Sequence, residues 1–196
     1  MILAGGRATR MGGADKAFLS LGGEPMIAHV IHRLRPQVET LAINAGGDPA
    51  RFAEFALPVL ADTVADQPGP LAGLLAGMLW AEREGATHVV TAATDTPFLP
   101  GDLVNRLAQA AERGRQPIAL AETADGLHPT FGLWPVTLAD DLALALDAGT
   151  RKVAAWALGE GAARAQFSAL PHDPFFNVNT PADLDAAERI LERAQT

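Results

Sequence analysis

Short apolar runs alternate with helix-period segments along this chain, and that alternation limits the fold more than any other feature of the sequence. A strand that is apolar throughout has to be covered on both faces. Amphipathic segments placed between such strands supply the cover, so the pattern predicts an α/β sheet sandwiched by helices. Ile2–Ala4 reads as a short first strand. Pro25–Arg35 places Met26, Ile27, Val30, Ile31 and Leu34 on one helical face before Pro36 ends it. Thr40–Asn44 reads as a strand. After Gly69-Pro70, the stripe Leu71, Leu74, Leu75, Met78, Leu79 follows helical spacing. His88–Thr94 is a buried strand ending at Asp95, and Asp102–Arg113 is a helix. Ile118–Ala121, Thr130–Leu133 and Gln166–Leu170 are expected strands, and Leu138–Asp147 and Arg151–Leu158 expected helices. Thr180, Pro181 and Asp183 form a capping-box start for the last helix. No repeat, low-complexity tract or linker interrupts this order, so residues 1–196 are expected to make one three-layer α/β domain with a mostly parallel central sheet.

In such sheets ligands sit beyond the carboxyl ends of the strands. Three polar spots fall there: the Gly5–Lys16 loop, Asn44 and Asp95. The segment Leu3–Lys16 carries four glycines and the cations Arg7, Arg10 and Lys16 directly after a strand. Glycine lets backbone N–H groups turn inward on a phosphate, and the cations can neutralise a triphosphate and its pyrophosphate leaving group. The chain has 13 arginines and only two lysines, so a lysine here departs from local habit. The net charge is −8, yet the first 35 residues carry +3, leaving −11 for the rest. That balance argues against a surface built for nucleic acid and leaves cations for a small anion. An ordinary strand–helix turn with solvated cations would explain the loop equally well on composition alone. Neither Gly-x-x-x-x-Gly-Lys nor Gly-x-Gly-x-x-Gly occurs in it, so the P-loop and the dinucleotide fingerprint are excluded. The chain has no cysteine, which removes disulfides, thiolate metal sites and cysteine nucleophiles. No run reaches the roughly 20 apolar residues that span a bilayer. A cytoplasmic location is expected.

The segment Leu3-Ala4-Gly5-Gly6, with Arg10-Met11-Gly12-Gly13 and Asp15-Lys16, resembles the signature of the molybdenum cofactor guanylyltransferases. Further matches follow in the family's order. They are Asp62, Ala65 to Gly73, Asp95-Thr96-Pro97-Phe98-Leu99-Pro100, His128 to Trp134, and Phe176-Asn177-Val178-Asn179-Thr180-Pro181. The family carries several residues ahead of the signature, whereas here Met1 leads at once into Ile2-Leu3. Either the start codon is misassigned or the first strand is short.

The resemblance implies a Rossmann-like nucleotidyltransferase fold and transfer of GMP from GTP to the phosphate of molybdopterin, with release of pyrophosphate. GTP would bind in about residues 1–100 and molybdopterin in about 101–196. It implies Mg²⁺ as cofactor, held by Asp95. It implies catalytic roles for Lys16, Asp95 and Arg10. Leu3, Ala4, Gly5, Gly6, Lys16, Asn44, Asp62 and Asp95 would contact the nucleotide, with Gly69 and Gly73 approaching the ligand closely. Asn177, Asn179 and Arg151 would belong to the pterin end, the asparagine pair near the metal. Other molybdenum cofactor biosynthesis proteins and chaperones of the target oxidoreductases are implied partners; nucleic acid and membrane are not.

Each assignment has a plainer alternative. Asp95 could cap the next helix, Asn44 could end a strand, Asp62 could be a loop carboxylate, Gly69 and Gly73 could start a helix, and Arg151 could be solvated at a helix end. Asn177 and Asn179 alternate along an extended segment, so they point the same way; the plainer alternative is that they form a turn. His128, next to Pro129, is expected to pack, and Trp80, Trp134 and Trp156 to lie in the core. A phosphate monoester, with a second pKa of roughly 6, attacks without a general base, so no nucleophile–histidine set is needed. The cytidine-specific relatives read Leu-Ala-Ala-Gly at the loop, against Leu3-Ala4-Gly5-Gly6 here. Sugar-phosphate nucleotidyltransferases place a proline where Asp15 stands. A nucleotide-binding regulator without activity would have no reason to keep Lys16, Asp95 and the asparagine pair together.

Overall fold

The computed structural model describes residues 1–5, 15–63 and 69–194. Gly6 and Arg10, with the rest of the loop through residue 14, and Ala65 to Pro68 lie outside the described residues. The main sheet has seven strands: β1 (Ile2–Leu3), β4 (Ile43–Asn44), β5 (Val59–Leu60), β6 (His88–Ala93), β7 (Ile118–Thr123), β8 (Gly126–Pro135) and β9 (Ala162–Gln166). Their order is β5-β4-β1-β6-β8-β7-β9, and β8 alone runs antiparallel to its neighbours. The mostly parallel sheet expected from the sequence is the one found.

Alternation along the strands decides which layer each side chain enters. Ile2, Val90, Ala119 and Ala121 face one core, closed by α1 (Met26–Leu34) and α3 (Leu103–Gly114). Met1, Val89, Ile118 and Leu120 face the other, closed by α2 (Pro70–Arg83), α4 (Ala139–Asp147) and α5 (Val153–Glu160). Trp134 and Trp156 stack in the second core with ring centroids 6.0 Å apart, and the partly buried Trp80 packs on it. The Trp134 indole N–H donates to the buried Thr91 hydroxyl at 2.9 Å. A third cluster, Leu21, Met26, Phe98, Val178 and Ala187, docks α6 (Pro181–Ala194) beside a small hairpin of β2 (Ser20–Leu21) and β3 (Glu24–Pro25).

Two expectations are corrected. The last strand is Ala162–Gln166 rather than Gln166–Leu170. Alanine has weak strand propensity, but parallel pairing with β7 from Ile118↔Ala162 to Glu122↔Gln166 overrides it, and Ser168 with Leu170 forms a turn instead. The strand expected at Thr130–Leu133 extends back to Gly126. Its pairing with β7 jumps from Gly132↔Leu120 to His128↔Ala121, so residues 129 to 131 bulge out. Pro129 falls where β8 has no partner on its β6 side, the kind of place a sheet tolerates proline.

Candidate active site

Three parallel neighbours, β4, β1 and β6, end side by side. The Ala4 N–H donates to the Asn44 carbonyl at 2.8 Å and the Thr94 N–H to the Leu3 carbonyl at 3.2 Å. Ala4-Gly5, Asn44 and Asp95 are thereby set in one row at the carboxyl edge, where ligand binding was expected.

Lys16 opens a 3-10 turn, Lys16–Phe18, whose cap is Asp15: its Oδ1 accepts from the Ala17 N–H at 3.1 Å. Ala17 is fully buried and the Phe18 ring packs at a tilt against Phe52, with centroids 5.2 Å apart, so the turn is pinned from below. The Lys16 ammonium donates to Asn179 Oδ1 and stands 3.6 Å from Asp95 Oδ2. These lysine and aspartate side chains are only 19% and 26% exposed, so their charges act in a partly desolvated setting where electrostatics are strengthened.

Asn177 and Asn179 reach the same spot because of what lies between them. Val178 is fully buried in the third cluster, and its N–H donates to the Asp95 carbonyl at 2.8 Å. That bond seats the segment against the end of β6, and alternation turns both asparagines to one side. Beyond them the capping box forms as expected. Asp183 Oδ2 accepts from the N–H groups of Asn179 at 3.0 Å and Thr180 at 2.8 Å, while the Asp183 N–H donates to Thr180 Oγ1 at 3.2 Å. The Asn179 N–H, then the Thr180 hydrogen bonds, hold the Asp183 carboxyl below the usual carboxylate range.

The second group is Asn44, Asp62 and Gly73. Asn44 is 4% exposed, and its Nδ2 donates to Asp62 Oδ1 at 2.9 Å and to the Leu60 carbonyl at 3.2 Å. A Cβ on Gly73 would lie 2.2 Å from Asn44 Oδ1, so glycine is required for the helix to approach this closely. Gly69 is the cap residue of α2, just before Pro70. A Cβ on Gly5 would meet nothing within 4 Å.

Arg151 makes its described hydrogen bonds to the carbonyls of Leu146 at 3.1 Å and Thr150 at 2.8 Å, at the end of α4. His128 stacks on Phe175 at 4.5 Å and bonds the Thr123 hydroxyl at 2.9 Å, the packing role expected of it. Burial lowers its pKa, with Asp173 and Asp125 pulling the other way.

Among the described residues no group of three or more His, Asp or Glu side chains comes together. A metal at Asp95 would therefore rest on that carboxylate plus ligand oxygens. The donor set fits Mg²⁺, which commonly binds one or two carboxylates with substrate phosphates. Thr96 Oγ1, 3.4 Å from Asp95 Oδ1, leaves that oxygen only weakly engaged.

The comparisons with known proteins decide the family. The model of the MobA-like NTP transferase domain matches residues 1–163. A molybdenum cofactor guanylyltransferase from Cereibacter sphaeroides is 52% identical over 194 residues, covering 98% of this chain and 96% of the relative. The chain belongs to the molybdenum cofactor guanylyltransferase family. It is thus a nucleotidyltransferase. Among solved structures, molybdopterin-guanine dinucleotide biosynthesis protein A from Archaeoglobus fulgidus superposes with a TM-score of 0.72 at 23% identity, covering 98% of this chain and 97% of that one. A Mycobacterium tuberculosis protein solved in complex with manganese gives 0.66 at 19% identity, covering 96% of each chain.

For this family member, three side chains outside the expected set of site residues support the site. Arg51 pairs with Asp15, donates to the Gly46 carbonyl at 2.8 Å and lies over the Phe52 ring, so it ties the Lys16 turn to the loop after β4. Thr96 lies beneath Asn177. Asp183, read only as a cap, also fixes the Asn179 backbone. A capping box so close to the asparagine pair was the available signal for Asp183; the Arg51–Asp15 pair spans 36 residues and left none.

Proposed function

We propose that the chain transfers GMP from GTP to the phosphate of molybdopterin and releases pyrophosphate. The single observation that supports this best is the meeting of Lys16, Asp95, Asn177 and Asn179, contributed by the start, middle and end of the sequence, at the carboxyl edge of the sheet. On this reading residues 1–196 work as one domain. About residues 1–100 hold the nucleotide through Leu3, Ala4, Gly5, Gly6, Lys16, Asn44 and Asp62, with Gly69 and Gly73 shaping the wall. About residues 101–196 hold molybdopterin through Asn177 and Asn179, with Arg151 as a further pterin-side residue.

The reaction needs no proton abstraction. A phosphate monoester has a second pKa of roughly 6 and is mostly dianionic at neutral pH. Its oxygen forms a bond to the α-phosphorus of GTP as the α–β phosphoanhydride bond breaks, and the electron pair leaves on pyrophosphate. Catalysis then consists of aligning two polyanions and dispersing charge. Lys16 places an ammonium against the developing charge, and Arg10 adds a second cation. Asp95 would hold Mg²⁺, which when bound neutralises phosphate charge. The asparagine amides orient the accepting phosphate.

The nearest alternative is cytidylyl transfer to the same acceptor, and Gly5 in place of alanine favours guanine. A cytoplasmic location goes with this reading. Among the described residues no helix is long and apolar enough to cross a membrane. Other cofactor biosynthesis proteins and chaperones of the recipient oxidoreductases are the partners this activity calls for. The test is incubation with GTP, Mg²⁺ and molybdopterin, following pyrophosphate and the dinucleotide chromatographically. Absence of both products refutes the reading.

A further inference from the structure

Thr96 is fully buried, and its hydroxyl lies between two acceptors: Asn177 Oδ1 at 3.0 Å and Asp95 Oδ1 at 3.4 Å. A threonine hydroxyl has one proton to give, and the nearer acceptor has the better hydrogen-bond distance. Asn177 itself is exposed. A side-chain amide carries an acceptor on one atom and two donors on the other. With its oxygen engaged from below, Asn177 offers a ligand chiefly its N–H donors. Asn179 is fixed in the same sense, because its Oδ1 accepts from Lys16. A pair of asparagines anchored through their oxygens suits an anionic oxygen rather than a cation.

We infer that Thr96 is a positioning residue, whose hydroxyl pins the Asn177 amide oxygen so that the amide N–H groups address the accepting phosphate of the second substrate. This rests on the molybdopterin reading above. It also assigns Asn177 to the acceptor and away from the metal. The buried methyl of Thr96 fixes the rotamer, so the hydroxyl is held rather than free to turn to solvent. Valine has the same shape without the donor, which isolates the hydrogen bond from packing.

The experiment compares Thr96→Val, Thr96→Ser and Asn177→Ala with the wild type, plus Thr96→Val combined with Asn177→Ala. Thermal melts establish that each is folded. KM for molybdopterin and kcat come from pyrophosphate release, and the Kd for GTP with Mg²⁺ is measured without molybdopterin. The expected result is a roughly tenfold higher molybdopterin KM for Thr96→Val, with GTP Kd within about twofold, as loss of one hydrogen bond of roughly 1.4 kcal/mol implies. Thr96→Ser should recover most of the loss. Thr96→Val should add less than about twofold once Asn177 is alanine, because the two act as one unit. An equal rise in GTP Kd overturns the inference, since the hydroxyl then serves Asp95. Failure of serine to rescue, or additive effects with Asn177→Ala, overturns it too. An inactive wild type refutes the parent activity, whereas an active wild type with unaffected Thr96→Val refutes this inference alone.

Discussion

Gly73→Ala would test how closely α2 must approach Asn44, in the wall of the proposed nucleotide site. A Cβ there would lie 2.2 Å from Asn44 Oδ1, 2.9 Å from Asn44 Cγ and 3.0 Å from Leu3 Cδ2. Asn44 cannot yield cheaply, because its Nδ2 already bonds Asp62 and the Leu60 carbonyl. Displacing it sacrifices two hydrogen bonds, each about 1 kcal/mol net. Crowding against Leu3 adds about 1–3 kcal/mol. Alanine in a helix interior returns about 1 kcal/mol. The net expectation is a loss of about 3 kcal/mol, which for a chain of this size lowers Tm by roughly 6–12 °C. Gly77→Ala is the control in the same helix: its Cβ meets the flexible end of Met1 at 3.2 Å, so propensity and crowding nearly cancel. Thermal unfolding of both variants, with GTP titrations, reads the result. If Gly73→Ala is as stable as Gly77→Ala and binds GTP normally, the close approach has no structural or ligand-binding consequence and the reasoning is wrong.

Asp95→Ala is expected to abolish guanylyl transfer while leaving the melting curve nearly unchanged; normal turnover at low Mg²⁺ would remove Asp95 from the site. Lys16→Ala should cost on the order of 3 kcal/mol in the transition state, about a hundredfold in rate, and a loss under tenfold in pyrophosphate release would make it a structural lysine. GTP should be preferred over CTP and ATP by about a hundredfold in kcat/KM, because unpaired polar groups reject the wrong base; equal use of CTP would move the chain to the cytidylyl branch. His128 has its pKa lowered by burial, so the unfolded chain binds more protons than the folded one as pH falls through the unfolded value near 6.5. Stability should therefore decline on acidification through that range, and His128→Gln should flatten the slope in urea denaturation at stepped pH.

The elements that were legible in the sequence are those whose periodicity is long and unbroken. The Leu71 to Leu79 stripe after Gly69-Pro70 marks α2 because both of its faces meet apolar neighbours, and His88–Ala93 is apolar enough to be a buried strand by itself. Ala162–Gln166 has no such signal, since its strand character comes from β7 alongside it. The β2–β3 hairpin was missed although Gly22-Gly23, both at positive φ, is the kind of two-residue turn that joins tight hairpins. Lys16, Asp95, Asn177 and Asn179 were legible through the glycine-rich loop, a strand end, alternation and the family resemblance, and the structure brings Lys16 against Asp95 and Asn179. Arg51 and Thr96 were not, because what they do depends on partners 36 and 81 residues away.

The bond between Val178 and Asp95 has a consequence for when the enzyme becomes competent. Asp95 leaves the ribosome 84 residues ahead of Asn179, an interval of about 4–17 s at 5–20 residues per second. During that time the first half of the chain can bury apolar surface, but Lys16 has no Asn179 to meet. Closure waits for the segment before α6 to dock. On the proposed reading nascent chains are thus kept from turnover by their own topology, and a chain cut short before residue 177 would lack both asparagines.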